Sequence, residues 1–286
     1  MKLCYQVATP DVAIAPSVTA YQGDLEQNLK KLSDFGYDGV EFMTINPSQL
    51  NWNEVKALLK EYNLEAVLVC TGEIFGQLHY SFTDIDPGIR NAAVEKVFEM
   101  IDFASCLGAN VNIGRVRGCC CDSVSKEQTE DWAIEGFQRI SDYAAPKKVC
   151  LALESVTIMQ TDFINTIQQS ANMVDRVKRE NFKLMMDVFH MNIEEKNIYN
   201  TISKYRSYNI HVHLADNNRR YPGNCGMNFD QLIKCFYDNG YDGAFCTEIM
   251  QLPDQETAAK KSIEFLSPIF EKYYGRKARN IAGQRS

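Results

Sequence analysis

Four segments in the second half of the chain end on side chains that bind cations: Leu-Ala-Leu-Glu154, Met-Met-Asp187-Val-Phe-His190, His211-Val-His213-Leu-Ala-Asp216 and Phe-Cys-Thr-Glu248. Each closes a short apolar run with the composition of a buried strand. If the runs lie side by side, Glu154, Asp187, His213 and Glu248 meet at one end of the sheet. Three carboxylates crowded into a partly apolar cup repel one another and lose hydration, an arrangement that makes sense when a cation neutralises them. Oxygen ligands with one nitrogen suit Mg, Mn or Co, whereas a structural zinc favours thiolates or more imidazoles. One divalent metal ion is therefore the expected cofactor. His211 and His213 point to the same side of their strand at different levels, and His213, nearer the strand end, is the expected ligand. Taken singly, a strand-end acid equally caps a helix and a strand histidine is equally a satisfied core group; the four together carry the reading.

Stepping along the chain, β-rich runs alternate with amphipathic helical patterns from one end to the other. The strand candidates are Leu3 to Ala8, Gly39 to Met43, Glu65 to Cys70, Asn110 to Ile113, Cys150 to Glu154, Phe182 to Asp187, Ile210 to Ala215 and Gly243 to Glu248. Helical spacing covers Leu25 to Phe35, Asn53 to Tyr62, Ile89 to Leu107, Glu127 to Ala144, Phe163 to Val177, Ile198 to Tyr205, Phe229 to Asn239 and Thr257 to Phe270. Gly36, Gly108 and Gly240 stand just past helix ends, where a left-handed residue is wanted. Eight such units with no Pro-, Gly- or Ser-rich linker predict a single (β/α)8 TIM barrel, residues 1–274, with its active site at the C-terminal ends of the strands. The first four strands end in no comparable ligand set. A basic tail, 275–286, carries Arg276, Lys277, Arg279 and Arg285 and reads as a solvated end.

A barrel of this kind accommodates all 286 residues in one domain. No apolar run approaches the roughly 18 residues that a membrane span needs, and Thr9, Pro10 and Asp11 interrupt the N-terminal apolar stretch before a secretory core forms. The 10 cysteines are scattered through predicted strands and helices, which fits reduced thiols and a cytoplasmic location. The consecutive Cys119, Cys120 and Cys121 lack the spacing that wraps two thiolates around one ion. A net charge of −7 opposes a nucleic-acid partner. The chain also lacks the glycine-rich fingerprints of dinucleotide and nucleotide binding.

Further segments give the pattern a family likeness: Gly23-Asp24-Leu25, Trp52-Asn53-Glu54-Val55-Lys56, Ile113-Gly114-Arg115-Val116-Arg117-Gly118, Thr161-Asp162-Phe163-Ile164-Asn165-Thr166, Asp187-Val-Phe-His190-Met-Asn-Ile-Glu-Glu195 and Ala215-Asp216-Asn217-Asn218-Arg219. Over nearly its whole length the chain resembles the xylose-isomerase-like sugar isomerases and epimerases, especially ketose 3-epimerases of the tagatose and psicose type and the keto-gluconate epimerases. The resemblance implies the same four metal ligands, with Glu154 and Glu248 as an acid/base pair on opposite faces of the sugar and His190 and Arg219 as substrate-binding groups. It further implies α-proton abstraction from a ketose or keto-sugar acid through a metal-stabilised enediolate, with a small sugar as partner and a homo-oligomer, dimer or tetramer. One segment departs from the family. Where the epimerases read Glu-Pro-x-Asn-Arg-x-Glu, this chain has Glu154-Ser-Val-Thr-Ile-Met-Gln160, so Gln160 offers a neutral amide to the substrate in place of a carboxylate.

That substitution leaves epimerisation, aldose–ketose isomerisation and a dehydratase (lyase) reaction on a keto-sugar or keto-inositol as competing outcomes of the same proton abstraction. It also removes a charge that would repel an acidic substrate, with Arg115, Arg117 or Arg219 available to receive one. An endonuclease-four-like DNA-repair hydrolase shares the barrel and ligands, but it needs a metal cluster and more imidazoles than the 4 histidines here provide. A sugar-binding role without catalysis is the remaining alternative, and the four ligands argue against it. His79, on the loop after the third strand, reads equally as a cover over the substrate and as a solvated loop position.

Overall fold

The computed structural model describes residues 1–276. Its first half runs β1 (Lys2–Ala8), α1 (Leu25–Phe35), β2 (Gly39–Met43), α2 (Trp52–Glu61), β3 (Glu65–Cys70), α3 (Gly72–Leu78), α4 (Pro87–Leu107), β4 (Asn110–Ile113) and α5 (Lys126–Ala144). The second half runs β5 (Leu151–Glu154), α6 (Ile167–Val177), β6 (Phe182–Asp187), α7 (Val188–Glu194), α8 (Ile198–Tyr205), β7 (Asn209–Leu214), α9 (Phe229–Asp238), β8 (Ala244–Thr247) and α10 (Gln255–Tyr274). All the strands are parallel, and β1 pairs with β8 as well as with β2, so the sheet closes on itself. This is the predicted (β/α)8 barrel.

Local chemistry sets the element ends. Side chains of Asp24, Asn51, Asp86, Ser125, Asn197, Asn228 and Asp254 accept backbone N–H groups at helix starts, and Thr166 with Gln169 forms a reciprocal capping box. Gly36, Gly108 and Gly240 adopt φ of 98°, 73° and 75°, the left-handed exits expected of them. Along each strand the pleat sends alternate side chains to opposite faces. Residues such as Tyr5, Val40, Val111, Leu153 and Phe245 face the helices in the main apolar core, while Leu68, Ala152 and Met185 form a small separate cluster. The opposite parity puts Gln6, Glu41, Asn112, Glu154, Asp187, His211 and His213 on the barrel interior, all of them buried.

The structure corrects the sequence reading at several points. Helix α6 starts at Ile167, because the Thr166 cap fixes the start there and Phe163–Asn165 form a loop. Two short helices, α3 and α7, follow β3 and β6 without having been anticipated. Arg276 is not a solvated tail residue: its guanidinium donates to Asp38 Oδ2 at 2.7 Å and to the Gly36 carbonyl at 2.6 Å. Lys277, Arg279 and Arg285 lie outside the described residues. Among the described residues no helix is long and apolar enough to cross a membrane, and all ten cysteines are free thiols.

Arg117 has a structural task. Fully buried, it donates to the carbonyls of Gly114, Phe163 and Ile164 at 3.0, 3.1 and 3.2 Å, tying the end of β4 to the loop after β5. Burial pulls its guanidinium down to about 10, opposed by Glu154, so it stays charged at neutral pH. It is therefore not available to a substrate anion. Arg117→Met should leave the Phe163 carbonyl without its donor and remove one of two donors from Gly114 and Ile164, which keep the Arg117 and Val156 backbone N–H groups. The cost should be about 2 kcal/mol or more of stability, read as a lowered midpoint in urea unfolding. A variant as stable as the parent would show that these bonds do not hold the loop.

Candidate active site

At the C-terminal end of the barrel the ligand atoms of Glu154, Asp187, His213 and Glu248 all lie within 4.8 Å of one another. His213 Nδ1 stands 2.7 Å from Glu248 Oε2, 3.4 Å from Glu154 Oε1 and 3.7 Å from Asp187 Oδ2. Both His213 Nδ1 and Glu154 Oε1 are buried without a hydrogen-bond partner. A lone-pair nitrogen and an undonated carboxylate oxygen, facing each other beside two more carboxylates, fit one divalent cation. Burial alone would lower the His213 pKa, yet Glu41 and Glu248 raise it well above the usual imidazole value. The field that draws a proton to this nitrogen equally draws a metal ion.

The aim of each ligand is set from behind. His213 Nε2 lies 2.8 Å from Glu41 Oε2, which leaves Nδ1 toward the ligand centre. Glu41 also meets His211 Nε2 at 3.1 Å and accepts from Gln6 Nε2 at 2.8 Å. Despite burial, His213 and the bonds from both imidazoles hold the Glu41 carboxyl well below its ordinary range. His211 thus sits one layer beneath, as its position in the strand required. Asp187 Oδ1 caps α7 through Phe189 N–H at 2.8 Å, keeping Oδ2 for the centre. Asn112 Nδ2 donates to Glu154 Oε2 at 2.9 Å, and Thr19 Oγ1 lies 3.0 Å from Glu248 Oε1. Glu41, Asn112 and Gln6 were missed from sequence; the signal was a polar side chain at inward parity in an otherwise apolar strand.

Above the cluster a cavity of about 490 Å³ is lined in part by His190, Arg219 and Gln160. Arg219 donates to Asp187 Oδ2 at 2.6 Å and to Glu248 Oε2 at 2.5 Å, and its guanidinium stacks 4.8 Å over the Phe189 ring. Its backbone has φ of 59°, held where the buried Asp216 carboxylate accepts the N–H groups of Asn217, Gly223, Cys225 and Met227. Burial raises the Glu248 carboxyl, but Arg219 and His213 outweigh it and bring it down to about 2. His190 Nδ1 accepts from Thr157 N–H at 3.3 Å, so Nε2 is its donor nitrogen, and burial keeps the ring below its usual pKa and neutral. Glu194 Oε1 fixes this contact by accepting from Thr157 Oγ1 at 2.8 Å and Ile158 N–H at 2.7 Å. Arg115 reaches the cavity in an ion pair with Glu73. His79 is an exposed cap at the end of α3, outside the cavity lining. Among the described residues, Cys119 to Cys121 enter no metal-binding grouping.

A family model for the xylose isomerase-like TIM barrel matches residues 29–269. The chain belongs to this family. It is 27% identical to an L-ribulose 3-epimerase of Methylomonas sp. over 81% of this chain and 86% of that one. A putative hydroxypyruvate isomerase of Xenopus laevis is 30% identical over 77% of this chain and 82% of its own length. In fold, it is similar to the crystal structure of a 3-keto-D-glucoside 4-epimerase from E. coli, with a TM-score of 0.79, 21% identity, and coverage of 93% and 98%.

The geometry separates the four candidate metal ligands from the groups that support them. Asp187→Ala and His213→Ala should abolish metal binding, whereas His190→Ala should retain it. Glu41→Gln, which leaves volume but removes the charge behind His213, should weaken metal affinity by about tenfold or more. Calorimetric titration of the chelated protein with Mn checks all four. Unchanged affinity in Glu41→Gln would remove Glu41 from the support of the centre.

Proposed function

We propose that this chain is a metal-dependent isomerase that epimerises or isomerises a keto-sugar by moving a proton at the carbon α to the carbonyl. The observation that carries this reading is the pairing of two carboxylates of unlike environment, buried Glu154 and partly buried Glu248, at the floor of a sugar-sized cavity. A divalent cation, when bound, would polarise the carbonyl and offset the charge that develops on its oxygen.

Glu154 is the better placed base: Asn112 orients one oxygen, and Oε1 has no donor. Glu248, which Arg219 and His213 hold ionised, would act as the second carboxylate of the pair. Deprotonation by one, followed by reprotonation from the other once it has taken up a proton from solvent entering the cavity, would invert the carbon; return by the first group to a neighbouring atom would isomerise instead. His190 Nε2–H donates to a substrate oxygen as a neutral group, and the Arg219 N–H groups not taken by Asp187 and Glu248 do the same. Relatives named as 3-epimerase and isomerase support this class of chemistry.

Glu154→Gln and Glu248→Gln should each lower interconversion by at least about a hundredfold, with metal still bound. One of them should retain exchange of the substrate's α-proton with deuterated water, from the epimer facing the surviving carboxylate. NMR of a panel of ketoses and keto-acids in deuterated water reads both effects. Normal turnover in both variants would exclude a two-carboxylate mechanism.

A further inference from the structure

We propose that the Glu73–Arg115 ion pair reads the end of the substrate remote from the cation and selects a neutral polyhydroxyl chain over an acidic one; this rests on the keto-sugar reading above. The pair follows β3 and β4, and in a closed eight-stranded barrel these strands stand across from β7 and β8, which bring His213 and Glu248. Glu73 Oε1 accepts from Arg115 Nη2 at 2.8 Å, and Glu73 Oε2 accepts from Gln77 Nε2 at 2.9 Å. Among the described residues, Nε and Nη1 of Arg115 have no protein acceptor and are left for a ligand. Both residues line the cavity.

The pair packs directly over Gly76, where an added Cβ would fall 2.8 Å from Arg115 Nη2 and 3.1 and 3.2 Å from the two Glu73 oxygens and push the pair aside. A guanidinium donates and a carboxylate accepts, and a hydroxyl does both; adjacent hydroxyls of a sugar chain can therefore bridge the pair. A carboxylate would gain Arg115 but meet Glu73 beside it. The other cavity guanidinium, Arg219, is matched by Asp187 and Glu248, and Arg117 lies buried against carbonyls. The neutral amide of Gln160 admits an anion, but among the described residues no unmatched guanidinium lines the cavity to hold one.

The experiment compares a neutral ketose with the corresponding keto-acid in the metal-loaded wild type, Glu73→Gln and Arg115→Met, by steady-state kinetics and calorimetric binding. The wild type should favour the ketose. Glu73→Gln frees the Arg115 charge and should shift relative kcat/KM toward the acid by at least about fivefold. Arg115→Met should raise KM for the ketose by a similar factor with kcat little changed. A wild type that prefers the acid, or an unmoved ratio in Glu73→Gln, overturns the inference while proton exchange continues to support the keto-sugar reading. If neither sugar exchanges its α-proton, that reading falls and this inference falls with it.

Discussion

The structure is organised by the repulsion among carboxylates that it buries together. Glu154, Asp187 and Glu248 converge at the barrel mouth and Glu41 lies just beneath, in a setting where unpaired charge is far costlier than in water. Each is answered by a specific group: Arg219 against Asp187 and Glu248, the two imidazoles against Glu41, and the Asn112 amide against one oxygen of Glu154. What stays unanswered is Glu154 Oε1 and His213 Nδ1, and the centre between them is where a cation completes the balance. The capacity to hold a cation, the proton affinity of His213 and the placement of Arg219 follow from one electrostatic constraint.

Barrel closure distributes the work. Strands β5 to β7 and the residue just past β8 supply the proposed ligands, and β1, β2 and β4 supply the Gln6, Glu41 and Asn112 side chains that aim or brace them. Contacts between residues as far apart in sequence as Glu41 and His213 exist because the sheet returns on itself. The loops above are held by carboxylates in a second role, as acceptors of backbone N–H groups. Asp216 gathers the loop that carries Arg219, Glu194 fixes Thr157 and Ile158, and Glu195 binds Ile167 N–H and the Thr201 hydroxyl. Function depends on these clamps because a loop residue at φ of 59° such as Arg219 holds its place only when its surroundings determine it.

What could be read in the sequence follows the range of the physics involved. The eight strands, the glycine exits and the convergence of the four proposed ligands follow from period, local sterics and one rule about barrels, so they were legible. Helices α3 and α7 were not, since each is seven residues long and stabilised by its surroundings more than by a repeating apolar face. Arg117 and Arg276 carried no local mark of their destinations, because carbonyls and a carboxylate from other elements decide them. Glu41 was visible as a lone charge in Gly-Val-Glu-Phe-Met, but its partners lie 170 and 172 residues away.

The departure from the family pattern between Thr157 and Gln160 now has a physical meaning. Thr157 and Ile158 do not leave the segment loose: Glu194 takes both the Thr157 hydroxyl and the Ile158 amide, and the Thr157 amide meets His190. The loop thus keeps the tautomer of His190 that faces the cavity while presenting different side chains around it. Gln160 at the cavity wall alters what a substrate would touch, without disturbing the contacts that aim the proposed metal ligands, and Ile158 and Met159 beside it are exposed. This departure falls at the cavity wall, and the electrostatic centre that would perform the proton transfer is left whole. If the keto-sugar reading proposed above holds, a substrate would meet Gln160, Glu73 and Arg115 along the same cavity wall, and selection would lie there.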